Sequence, residues 1–141
     1  MNELIFISYT RNDSEFALAL ANAFENQEYK IWIDKNHISE NNRIQDTIRN
    51  GLEKCTAMII LLNEYSFSSN YIREELDYAF NNNRLFNKIL PVYISKNNVI
   101  NFEKLPWILK KMKFMVVNND DYYSRNTKKI IEEFKKLMEE K

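Results

Sequence analysis

Apolar residues in this chain gather into five short, nearly continuous runs: LIFIS (4–8), KIWID (30–34), AMIILLN (57–63), KILPVYI (88–94) and KFMVVN (113–118). Most are rich in Ile and Val, whose branched side chains pack well on a pleated surface. A strand with one wet face would alternate apolar and polar residues. Continuous runs of this length are what parallel strands buried on both faces require. Between the runs the spacing becomes helical. In SEFALALANAFEN (14–26), Phe16, Leu20, Ala23 and Phe24 share one face, and Asp13 or Ser14 can act as N-cap. In RIQDTIRNGLEKC (43–55), Ile44, Ile48, Gly51, Leu52 and Cys55 do the same. In SSNYIREELDYAF, Ile72, Leu76, Ala79 and Phe80 make an apolar stripe, with Tyr71 and Glu75 one turn apart on the strip beside it. NFEKLPWILKKM (101–112) is less regular and carries a proline, which predicts only a short helix. A last helix is expected from about Ser124, with Ile130, Phe134, Leu137 and Met138 inward.

Strand–helix alternation repeated five times predicts one doubly wound α/β domain over residues 1–141. The expected form is a flavodoxin-like, five-stranded parallel sheet of order 2-1-3-4-5 with helices on both faces. That order carries a functional consequence. Open α/β sheets bind ligands beyond the carboxyl ends of their strands, where the strand order reverses. Here the reversal falls between the first and third strands. The loops expected there are SYTRND (8–13) and NEYSFSSN (63–70), and the second feeds directly into Tyr71 and Glu75.

Composition removes several alternatives. Twenty basic and twenty acidic residues give no net charge, so nothing points to a nucleic-acid partner or an anionic membrane. One His and one Cys cannot build a usual zinc site or an internal disulfide, and no metal is expected. Cys55 reads as a small core residue. The early apolar run LIFI is too short for a signal peptide or a membrane span, so a cytoplasmic protein is expected. Gly51 is the only glycine, which excludes a phosphate-cradling P-loop and the GxGxxG fingerprint.

The polar residues at the switch leave two kinds of reading. Arg11 can pair with a phosphate and tyrosines can stack on a base, yet each also reads as ordinary loop chemistry. Ser69 or Asn70 fits an N-cap. Glu75 fits a solvated helix charge as well as a catalytic carboxylate. A receiver-type phosphoacceptor needs acids after strand one and an Asp ending strand three. This chain has Ser8 and Tyr9 at the first place, and Asn63 and Glu64 at the second. A Ser/His/Asp triad has no GxSxG turn to carry it, and the lone His37 lies in the loop after strand two. Asp34, ending that strand, reads best as a loop cap.

Taken together, the segments resemble the TIR domain. FISYTRND resembles the family's first box. KIWID, followed by a polar loop and an amphipathic helix, resembles its second strand and BB loop. SSNYIREELDYA resembles the third-strand loop and helix, where the family usually shows S-x-W-x-x-x-E, and KILPVYI resembles the fourth strand. The resemblance runs over roughly residues 4 to 138. Two departures stand out: Tyr71 occupies the usual Trp position, and Asn41 and Asn42 stand where the BB loop commonly has Gly. Asn tolerates positive φ better than most residues.

The resemblance implies an activity. Many bacterial TIR domains cleave NAD+, and on their pattern Glu75 is the catalytic glutamate. Ser8, Tyr9, Arg11, Ser69 and Tyr71 fall on substrate-binding positions. Asp34, Ile38 and Arg43 fall on the BB loop, through which TIR domains self-associate. NAD+ is then substrate, no cofactor is expected, and the product is ADP-ribose or a cyclic ADP-ribose-type messenger. Short bacterial TIR proteins of this size resemble the signal-producing member of Thoeris-like antiphage systems, where the messenger reaches a separate effector. Two other readings stay open: a non-catalytic TIR module that signals by self-association, and an enzyme similar to nucleoside deoxyribosyltransferases. The FISY box and the BB-loop segment point away from the latter.

Overall fold

The computed structural model describes residues 4–9, 11–33, 53–63, 81–82, 85, 87–95, 114–118 and 123–139, without the side chains of Arg11 and Tyr123. The five apolar runs form five strands: β1 (Leu4–Ser8), β2 (Lys30–Ile33), β3 (Ala57–Leu62), β4 (Ile89–Ser95) and β5 (Met115–Asn118). Every pairing is parallel and the order is β2-β1-β3-β4-β5, as the alternation predicts. Two helices are described, α1 (Ser14–Glu25) and α2 (Tyr123–Glu139). The helices expected at 43–55, 68–80 and 101–112 lie outside the described residues, apart from 53–55.

Burial grades across the sheet as position demands. β3 and β4 are buried throughout and β1 nearly so, which explains their unbroken apolar sequences. The edge strands β2 and β5 are only four residues long and half-buried. Short, partly polar edges limit stray strand pairing. Pro91 sits in β4, an interior strand, where the missing N–H should break a ladder bond. The register removes the conflict. Pro91 faces Ile60 of β3, but pairing with β5 begins only at Val92, so β4 is locally an edge at the proline.

α1 and α2 pack on one face of the sheet, over Ile5, Ile7, Ile59, Leu61, Val92 and Val117. Phe16, Leu20 and Phe24 from α1 and Ile130 and Phe134 from α2 are buried there, with Ala23, Leu137 and Met138 partly so, matching the expected stripes. Each fully buried side chain of this size contributes about 1.5–3 kcal/mol relative to exposure. Phe24, Tyr29 and Phe134 meet edge to face, with ring centroids 5.4, 5.4 and 5.9 Å apart. This is the arrangement that ring quadrupoles favour. On the opposite face Phe6, Met58, Ile60 and Leu62 are equally buried, and Cys55 is buried as expected.

Polar contacts fix the strand starts and ends. The Leu4 amide donates to Thr56 Oγ1 at 2.9 Å and the Thr56 amide donates to the Leu4 carbonyl at 2.8 Å, aligning β1 with β3. Asn126 Nδ2 donates to the Asn118 carbonyl at 3.0 Å, tying the first turns of α2 to the end of β5. Among the described residues no helix is long and apolar enough to cross a membrane.

Candidate functional site

The strand order places the switch between β1 and β3. From β1 the chain moves outward to β2, then returns to the other side of β1 and continues through β4 to β5. At such a reversal an open α/β sheet receives its ligand, beyond the carboxyl ends of the strands. Ser8, the last residue of β1, pairs with Ile60, and β3 runs on through Leu62. β3 thus outreaches its neighbour, and Asn63 emerges at the level of the loop that follows β1.

That loop is short. Ser8 and Tyr9 close β1, the chain makes a single 3-10 turn at Arg11–Asp13, and α1 starts at Ser14. Asp13 occupies the N-cap position, one of the two expected. Its side chain nevertheless makes no capping hydrogen bond, and its backbone (φ −109°, ψ 17°) lies outside the usual cap conformation. The carboxylate turns instead toward β3 and accepts a hydrogen bond from Asn63 Nδ2 at 2.7 Å. A short amide-to-carboxylate bond in a partly buried place is charge-assisted and stronger than a neutral pair. The helix start still favours a negative charge there, because unsatisfied amides and the macrodipole make it locally positive.

Of the expected site residues, the structure places Ser8 and Tyr9 at the carboxyl end of β1 and the backbone of Arg11 in the turn above it. Ser8 is 1% exposed and Tyr9 2% exposed, and the Tyr9 ring is a member of the hydrophobic core cluster. Both therefore belong to the packed base at the carboxyl end of β1. Ser69, Tyr71 and Glu75, and the BB-loop residues Asp34, Ile38 and Arg43, lie outside the described residues.

The Asp13–Asn63 pair is the feature sequence reading overlooks. Read singly, Asp13 is a cap and Asn63 is a failed phosphoacceptor. The signal that joins them is topological: each stands at the exit of one of the two strands flanking the switch.

Comparison with known proteins agrees with this architecture. The family profile described as "TIR domain" matches residues 5–133. Several solved structures share the fold. The TIR domain of the Toll-related receptor TRR-2 from Hydra magnipapillata has a TM-score of 0.66 at 16% identity, covering 93% of this chain and 97% of that one. A prokaryotic SEFIR domain has a TM-score of 0.68 at 18% identity, covering 99% and 94%. A metazoan TIR-STING receptor from C. gigas, solved with 2′,3′-cGAMP, has a TM-score of 0.71 at 19% identity; the match covers 91% of this chain but 38% of that longer one. No curated protein matches the chain. The profile match extends from the second residue of β1 into α2, across the whole sheet and the β1/β3 switch point, and the chain belongs to the TIR-domain family.

Proposed function

We propose that this TIR domain cleaves the nicotinamide–ribose bond of NAD+, with Glu75 as the catalytic carboxylate. The observation that carries the reading is the meeting of Asp13 and Asn63 across the β1/β3 switch. From Asn63 the chain runs on through 64–74 to Glu75, within the segment resembling the family's S-x-W-x-x-x-E. The exits of both strands are thereby held at the place where an open α/β sheet receives its ligand.

One carboxylate suffices for this chemistry. Ordinary glycosidases need two, because their leaving oxygen must be protonated. In NAD+ the bond from ribose C1′ to the pyridinium nitrogen breaks with both electrons going to that nitrogen. A cationic ring leaves as neutral nicotinamide, and no general acid is needed. The ribose keeps an oxocarbenium-like positive charge. Ionised Glu75 accepts hydrogen bonds from the ribose hydroxyls and stabilises that charge. Addition of water, with loss of a proton, gives ADP-ribose. Attack by a nucleophilic group of the same molecule gives a cyclic isomer. Arg11 pairs with a substrate phosphate, Ser69 and Tyr71 flank the nicotinamide mononucleotide half, and Ser8 and Tyr9 form the packed floor. Self-association through Asp34, Ile38 and Arg43 and delivery of a messenger to a separate effector, in bacterial antiphage defence in the cytoplasm, complete the reading.

A second reading has one observation in its favour. Ser8 and Tyr9 are both sealed from solvent, which suits an interaction module that needs no open substrate pocket. Mass spectrometry of NAD+ incubated with concentrated protein and crowding agents decides between them. Wild type is expected to release nicotinamide, and Glu75→Gln to lose on the order of 10²–10³-fold in rate, the scale of removing one preorganised electrostatic group. Full activity in Glu75→Gln overturns the catalytic assignment. No turnover by wild type when assembly is forced favours the interaction module.

A further inference from the structure

We draw no further inference here: the strongest candidate, the buried Asn126 side chain at the start of α2, whose Oδ1 finds no hydrogen-bond partner among the described residues, carries nothing, because one lone acceptor names no ligand and the adjoining residues 119–122 lie outside the described ones.

Discussion

Glu28 adopts φ 71°, the one positive value among the described non-glycine residues. It sits just past α1, where the chain must reverse into β2. The Gln27 and Tyr29 amides both donate to the Phe24 carbonyl, at 2.9 and 3.2 Å, and these bonds require the left-handed turn. An L-residue with a Cβ is strained there by roughly 1–2 kcal/mol, which glycine avoids at some entropic cost. Glu28→Gly should therefore stabilise the fold by about 0.5 kcal/mol, raising the melting temperature by ~2 °C in calorimetry. An unchanged or lower melting point would show that neighbouring contacts of Glu28 outweigh the strain. At this scale the sequence is least legible. A chain with a single glycine has to place other residues in left-handed turns, but nothing local to Glu28 marks it as one of them. Asp13 is similar: its position before a helix indicates a cap, while its actual bond depends on a strand fifty residues away. Cys55 and the inward positions of α1 are legible because burial at helical spacing is written directly into residue type.

Elements are where the reading is strongest. All five strands lie where unbroken apolar runs place them, to within two residues at either end, because strands buried on both faces tolerate few polar side chains. The described ends shift by a residue or so where a run and its pairing differ: β4 runs on to Ser95, one past the run 88–94, and β5 starts at Met115, after Phe114. Pro91 would argue against an interior strand on sequence alone, and only the staggered start of β5 accommodates it. The joint between helices has energetic weight. Phe134 is fully buried and touches both Phe24 and Tyr29, so one residue couples α2 to α1 and to the entry of β2. Phe134→Ala should destabilise by about 3–5 kcal/mol in denaturant titration, the range for an aromatic removed from a packed core. A loss under about 1 kcal/mol would mean that the surrounding rings collapse into the space. Lys135 Nζ, which donates to Gln27 Oε1 at 2.8 Å nearby, is exposed and should matter little by comparison.

For the whole molecule, the order β2-β1-β3-β4-β5 follows from strand–helix alternation, and from it the location of the switch point. What stands at the switch point is less accessible from pattern, because it depends on loops whose residues are polar in any protein. Assembly belongs to this scale as well. If activity needs two protomers joined through the BB loop, Ile38→Asp should lower NAD+ cleavage and shift sedimentation toward monomer, with the melting temperature little changed. A strictly monomeric wild type with specific activity independent of concentration would remove assembly from the mechanism. The packing of α2 on α1 also bears on how the chain is made. Phe24 and Phe134 are neighbours in space but 110 positions apart in sequence, so their shared face cannot close until nearly the whole domain has left the ribosome. During synthesis Phe16, Leu20 and Phe24 emerge long before the side chains that will cover them. The nascent domain therefore offers a greasy surface to chaperones for most of its translation, and its folding is a late, long-range event.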